Sequence, residues 1–336
     1  MEDYILEPSP TTYEELANLE REFEDVDSEI IRQQYVLSKP LYEKREKLVA
    51  KISNFWALVI EQAPEDIDQY IQPSDSALLL SSLKSVSVSH FEIENGGKGD
   101  PRSISVRMEF FENDYFEDKV LEKKFWYRRS RAGGGRLVSE PVPIKWKAGK
   151  DLTQGLLDLV VKVWAQDKKD SQTNGASKDK KPKNKPENWT ADQKALRAKI
   201  DKCGLGGVSF FCWFGYRGQD ISAEENAIAV EEDQKRRANK AATGDLQKTL
   251  EELEEDDEDD EEEYPLALEI FPDGDDLAVA FSEDLWPCAI KYFTQAQEAD
   301  AVSDFDFEED DEEMGDDEGE GEDDGDEAPP LKKVKT

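Results

Sequence analysis

The chain has 336 residues and a formal net charge of −37, of which 29 negative charges lie in two runs: 12 of the 13 residues 251–263 and 17 of the 24 residues 304–327 are acidic, leaving −8 on the rest. Such runs cannot bury enough apolar surface to offset chain entropy and they repel themselves, so they read as disordered polyanions suited to gathering a basic partner; strong direct DNA binding is excluded, because phosphate contact needs Lys and Arg. Three cysteines without a CxxC pair (Cys203, Cys212, Cys288), no apolar stretch near the roughly 20 residues of a membrane span, and an N-terminus MEDYILEPSP without signal-peptide character predict a soluble intracellular protein with no membrane contact.

From about Thr11 to Gln62, apolar residues recur at Leu16, Leu19, Phe23, Val26 and Ile30, and after Gln33 at Leu37, Leu41, Leu48, Ile52, Phe55 and Val59. This spacing predicts a coiled-coil-like helix over 11–62 with one dry stripe. At about 1.5 Å per residue the helix is roughly 75 Å long. A compact domain does not easily cover such a stripe, so it is read as the seam of a homodimer, formed by Leu16, Leu19, Phe23, Val26, Ile30, Leu37, Leu41, Leu48, Ile52 and Val59. Pro40 is its weak point, because an internal proline removes a hydrogen bond and kinks a helix.

Residues 63–300 read as one α/β domain. Pro64 opens a short helix PEDIDQYIQ, and Ser74 or Asp75 caps a second, SALLLSSLKS. Four strands follow: Ser85–Asn95, Ser103–Asn113, Lys119–Arg129 and a shorter Pro141–Lys147, with glycine-rich turns after the first and third, which predicts an antiparallel meander. Leu156–Gln166 is apolar and fits a helix or a strand. The Lys-, Asn- and Pro-rich stretch 167–188 reads as a disordered loop, Thr190–Lys202 as a helix capped by Thr190, and GVSFFCWFGYRG as a buried aromatic segment with a turn. The stretch from Ala223 to about Leu253 is helix-prone before the acidic run near 251–263, Leu266–Phe271 is strand-like, and Pro287 starts or kinks an apolar helix over Glu283–Ala296. Residues 301–336 form a disordered acidic tail with a basic end.

Signatures of catalysis are missing. His90 is the one histidine, no phosphate-binding GxxxxGK[ST] loop occurs, and the acidic runs lack the pattern of a calcium loop, so no catalytic residue, metal or cofactor is expected. Trp126, Tyr127, Trp146, Trp213 and Trp286 read as core. Phe305 and Phe307, set among acids in DFDFEEDD, suit cation–π contact with a basic partner. Lys332, Lys333 and Lys335 in PPLKKVKT read as a nuclear import signal.

Five ordered segments carry a resemblance: LYEKREKLVAKISNFW (Leu41–Trp56), FFENDYFEDKVLEKKF (Phe110–Phe125), IKWKAGKDLT (Ile144–Thr153), SFFCWF (Ser209–Phe214) and EDLWPCAIKYF (Glu283–Phe293). They resemble the SET, or template-activating factor, branch of the nucleosome assembly protein family of histone chaperones. The resemblance implies an α+β fold in which a long dimerisation helix, continuous through Pro40, precedes an "earmuff" domain with an antiparallel sheet. It also implies binding and shielding of core histones, H3–H4 first and the other core pair also, on the earmuff surface and tail, delivery for nucleosome assembly without ATP, and a nuclear protein able to shuttle to the cytoplasm. Relatives also serve a histone acetyltransferase or inhibit a protein phosphatase. Gly215, Tyr216 and Arg217 depart from the family pattern, so nearby acids, Asp220, Glu224, Glu225, Glu283 and Asp284, are taken as the histone-binding residues. Asp304, Phe305, Asp306, Phe307, Glu308, Glu309, Asp310 and Asp311 of the tail are taken with them.

Overall fold

The computed structural model describes residues 13–130, 134–173, 188–204, 207–243 and 267–299. In chain order they form α1 (Tyr13–Val49), α2 (Phe55–Glu61), α3 (Glu65–Asp68), α4 (Pro73–Ser82), β1 (Leu83–Ser89), β2 (Ile104–Phe110), β3 (Val120–Arg129), β4 (Gly135–Ser139), α5 (Leu156–Thr173) and α6 (Ala191–Cys203). A buried 3-10 helix (Phe210–Gly215), α7 (Ala223–Thr243), α8 (Gly274–Ala280), a π-helical turn (Phe281–Leu285) and α9 (289–299) complete them. This is the expected α+β arrangement of a long N-terminal helix and a four-stranded antiparallel sheet with packed helices. The chain divides after Ala296, and of the second unit, Gln297–Thr336, only 297–299 are described. The acidic run 251–263 and the tail 301–336 lie outside the described residues.

The long helix is shorter than its stripe predicts. It ends at Val49, and Asn54, in the left-handed region at φ 57°, turns the chain into α2. Pro40 sits inside α1 without ending it. The carbonyl that loses its partner there belongs to Val36, an exposed residue, so water can take the bond. Gln72, rather than Ser74 or Asp75, is the N-cap of α4, and its N–H donates to the Asp75 carboxylate at 3.1 Å.

The sheet is a simple meander, β1-β2-β3-β4, with Met108 facing both Val86 and Leu121 and Phe125 facing both Ile104 and Ser139. Alternation turns Ile104, Val106, Met108 and Phe110 of β2 and Leu121, Lys123 and Phe125 of β3 inward, where all are buried. The fourth strand is Gly135–Ser139, not 141–147. Two prolines deprive the latter of ladder donors, and its pairing with the neighbouring chain is an isolated bridge between Trp146 and Phe116. The ambiguous 156–166 stretch is the start of α5, which runs on through the first residues of the expected loop to Thr173.

Along the β4 edge lies the aromatic segment. Ser139 and Val142 donate their N–H to the carbonyls of Arg217 and Phe214, both at 2.8 Å, while Phe210, Phe211, Trp213 and Phe214 are fully buried. Gly274 lets the backbone approach: a Cβ there would lie 2.3 Å from Cγ of Tyr216. Leu266–Phe271 is not a strand. Its described residues are irregular because the buried Glu269 carboxylate takes the local donors, the N–H groups of Ile270 and Phe271, and adds those of Arg217 and Gly218.

Opposite this carboxylate stands a fully buried lysine. Lys123 Nζ donates to the carbonyls of Glu140 at 3.0 Å, Phe214 at 3.1 Å and Tyr216 at 2.9 Å, fastening β3 to the aromatic segment. Burial lowers its pKa from 10.5 to about 7, against the pull of Glu269 and Glu140. The folded chain therefore gives up this proton at lower pH than the unfolded chain, and the site adds stability as pH climbs from about 7 toward the unfolded value. Below about 7 both states hold the proton and the cost of burying it is felt in full. Lys123→Met removes this slope: the wild-type melting temperature should gain on that of the variant between about pH 6.5 and about pH 9. A constant difference between the two would refute the assignment.

Candidate functional site

Helix α1 has two faces. One is polar and aromatic and docks on the chain's own domain. Arg21 pairs with Asp233 of α7 at 2.6 Å, and Glu24 receives Arg129 of β3 at 2.5 Å. Arg32 donates to the Gly99 carbonyl at 2.5 Å, and the Tyr35 hydroxyl to Glu94 at 2.8 Å. Further along, the Tyr42 ring lies 3.9 Å from that of Trp286. Arg45 is buried against the Tyr42, Trp56 and Trp286 rings and donates to the carbonyls of Trp286 and Pro287. Those carbonyls lie between the π-helical turn and α9, and the guanidinium gives them a charged donor.

The other face carries the predicted stripe. Leu16, Leu19, Phe23, Val26, Ile30, Leu37, Leu41 and Leu48 are each at least 50% exposed, and Leu37 reaches 73%. A row this long is uncommon on a monomer surface. Ile52, also exposed, lies in the turn after α1 rather than on it. Val59 is corrected: it belongs to α2 and is fully buried in the domain core, out of reach of a second chain. In the sequence this face is masked, because Arg21, Glu24 and Arg32 look like a solvated helix surface. Tyr35, Tyr42 and Arg45, an aromatic–cation series at helical spacing, are the signal of it.

The structure gathers the predicted acids in two places. Asp220, Glu224 and Glu225 lie at or before the start of α7, where Glu225 and Ser222 cap one another. Glu283 and Asp284 lie on the π-helical turn, and both Asp284 oxygens accept the Tyr292 hydroxyl at 2.9 Å. Glu225 and Asp284 thus serve local structure, whereas Asp220, Glu224 and Glu283 are exposed. Asp304, Phe305, Asp306, Phe307, Glu308, Glu309, Asp310, Asp311, Lys332, Lys333 and Lys335 lie outside the described residues.

His90 has a structural place. Its Nδ1 lies 2.6 Å from the Pro101 carbonyl and its ring meets Tyr35 edge-on at 5.3 Å. Burial lowers its pKa, with the Pro101 carbonyl and the charges of Glu283 and Glu94 pulling the other way. Among the described residues no three His, Cys, Asp or Glu side chains are placed to hold a metal ion, and no helix is long and apolar enough to cross a membrane.

A family model described as Nucleosome assembly protein (NAP) matches residues 24–296. A Schizosaccharomyces pombe protein named as a candidate nucleosome assembly protein is 35% identical over 150 residues, 42% of this chain and 59% of that one. Protein SET of Drosophila melanogaster is 37% identical over 123 residues, 36% of this chain and 43% of its own length. Vacuolar protein sorting-associated protein 75 of Saccharomyces cerevisiae is 24% identical over 332 residues, 95% of this chain and 93% of that protein. The first two matches therefore span about half of each relative.

The grip of Arg45 on the C-terminal segment is testable. Arg45→Ala removes two charge-assisted hydrogen bonds and the ring contacts, and should lower the unfolding free energy by about 3 kcal/mol. Arg45→Lys keeps the charge but not the planar stack and should recover less than half of the loss. Urea titration reads both, and an unchanged midpoint would show that α1 is held elsewhere.

Proposed function

Because the chain belongs to the nucleosome assembly protein family, we propose that it is a non-enzymatic nuclear histone chaperone that works as a homodimer through α1. The observation that carries this reading is the two-faced helix. Its polar face is spent on its own domain, and its apolar face is left bare along most of its length.

The stripe has a symmetry that supports the pairing. Leu19 and Leu48, Val26 and Leu41, and Ile30 and Leu37 share one midpoint, between Gln33 and Gln34. Leu16 mirrors Lys51, beside Ile52, and Phe23 mirrors Lys44, whose stem can cover the ring. Two copies running in opposite directions about that midpoint bury an apolar residue against an apolar residue at three successive levels. At the centre of that pair Gln33 of one copy meets Gln34 of the other, and polar groups in such seams select register and orientation.

Core histones, H3–H4 first, are the proposed cargo. Exposed acids of the folded domain, Asp220, Glu224 and Glu283, meet the histone fold, while Asp304–Asp311 and the run 251–263 cover its DNA-binding lysines and arginines. Many weak contacts from one acidic segment raise the effective concentration of acid around the cargo. DNA, with denser and stiffer charge, takes the histones without ATP. A second reading, an adaptor of a histone acetyltransferase or an inhibitor of a phosphatase, has α7 in its favour: the helix is fixed to β3 and α1 and turns Glu224, Ile228, Glu231 and Lys235 outward.

Two measurements test the proposal. In a Cys203→Ser background, Gln33→Cys should oxidise to a covalent dimer on a non-reducing gel, whereas Leu16→Cys should not, its two copies being roughly 50 Å apart in the antiparallel pair. Cross-linking of both variants would indicate a parallel pair, and a single-chain mass in sedimentation would remove the dimer. Deletion after Val302 should weaken H3–H4 binding several-fold at low salt and less at high salt. Equal affinity at every salt concentration would take the tail out of the mechanism.

A further inference from the structure

We infer that Ile52 and Ile290 of one copy form an apolar socket for Leu16 of a second copy, closing each end of the dimer. The inference deepens the antiparallel pairing proposed above and rests on it, but the socket residues lie outside α1.

The helix is too short for its own stripe. In the antiparallel pair Gln33 faces Gln34, so Val49, the last residue of α1, faces Asn18. Residues 13–17 therefore run past the end of the partner's α1. Leu16, 53% exposed, falls opposite Lys51, in the turn after that helix. Cover for this leucine comes from what surrounds that turn.

Two bare isoleucines stand there, Ile52 at 41% and Ile290 at 57% exposure. Ile52 lies three residues before Phe55 and Ile290 three before Phe293, and the Phe55 and Phe293 rings stack at 4.8 Å, so one ring pair anchors both. The backbone is already helical in φ and ψ at Trp286, and Trp286, Ile290 and Phe293 follow the i, i+4, i+7 spacing of one helix side. The ends of that row are covered by the chain's own rings, Tyr42 on Trp286 at 3.9 Å and Phe55 on Phe293. Ile290, between them, is left open. The row also borders the α1 stripe: Arg45, which donates to the Trp286 and Pro287 carbonyls, is four residues after Leu41 and three before Leu48, a neighbour of both on the helix surface.

Charge names a second copy as the occupant. Residues 13–29 hold eight acids and one base, and residues 39–51 hold five bases and two acids. Antiparallel pairing sets the acidic end of each helix on the basic end of the other, whereas parallel pairing sets like on like. The complement continues at the socket. Residues 47–54 and 287–297 contain three lysines, Lys47, Lys51 and Lys291, and no acid. All three are exposed, and none makes an ion pair with the described residues. On the arriving helix, Glu20 lies one turn from Leu16 and faces Lys47 in the mirrored register. The same lysines repel a basic protein such as a histone, so the socket is not a cargo site.

The test uses the full chain with Cys203 and Cys288 changed to serine, Cys212 being buried. Leu16→Cys and Ile290→Cys in the same chain should give a covalent dimer with a short bismaleimide on a denaturing gel, and either change alone should give none. Leu16 and the C-terminal end of its own α1 are roughly 50 Å apart, so such a link joins two chains. Ile290→Ser should raise the dimer dissociation constant roughly thirtyfold in sedimentation, because each dimer makes the contact twice. A double variant that links no better than the single ones, while Gln33→Cys still oxidises to a dimer, overturns the socket and leaves the pairing of α1 standing. So does an Ile290→Ser dissociation constant within twofold of wild type. Failure of Gln33→Cys to cross-link overturns the pairing and the socket together.

Discussion

A long amphipathic helix docked on its own domain by the wrong face sets the terms for the rest of this structure. Helix α1 gives its own domain a row of arginines, a glutamate and tyrosines, and keeps its leucines for the outside. That inversion is stable only because the docking contacts are specific. Arg45 is the clearest case: a guanidinium stacked on aromatic rings and bonded to the carbonyls of Trp286 and Pro287. Each such contact fixes direction as well as position, whereas a greasy contact would let the helix slide. The helix can therefore present an apolar row at a defined angle to the domain.

Inside the domain, buried polar groups do the same for the aromatic segment. Asp75 on α4 accepts the Ser209 hydroxyl at 2.6 Å and the Phe210 N–H at 2.7 Å, holding one end of the 3-10 helix. Lys123 and Glu269 hold the other, one by three carbonyls and the other by four N–H groups. Burial raises the pKa of both carboxylates and lowers that of the lysine, so each group works against its own desolvation. What they provide is register. Four large aromatic side chains within five residues would otherwise pack equally well in several arrangements, and buried polar contacts of this kind remove the alternatives.

Much of this was legible in the sequence, for reasons that differ by element. The α1 stripe, β2, β3 and α6 with its Thr190 cap announce themselves through periodicity and capping chemistry, which are local. The fourth strand was misplaced because Pro141–Lys147 has the better β composition, while Gly135–Ser139 owes its state to pairing with β3. Leu266–Phe271 misled for a related reason: a single glutamate took the donors that a strand would have used. Lys123 could have been found, since it falls in phase with Leu121 and Phe125 on the inward face of β3. Of the site, the apolar stripe is readable, whereas the docked face of α1 is not, because Asp233, Arg129, Gly99 and Trp286, which receive it, lie far along the chain.

The distribution of charge bears on how such a protein can bind a cation-rich partner and still choose among them. Two acidic runs hold 29 of the net 37 negative charges, and the rest of the chain is only mildly acidic. Charge alone is a poor discriminator: between exposed groups it acts over a Debye length of about 8 Å at physiological salt, and it treats every basic protein alike. Discrimination needs contacts that are short-ranged and shaped. On the folded domain some outward charges are paired, as in Lys84–Glu109–Arg107, which weakens their long-range attraction. Others are exposed with no ion pair to the described residues, among them Asp220 and Glu224 near the start of α7 and Glu283 on the π-helical turn. The division of labour proposed here follows from that arithmetic. In that proposal the acidic runs gather cargo, exposed acids of the folded domain sort it, and the docked α1 sets how two copies are held together.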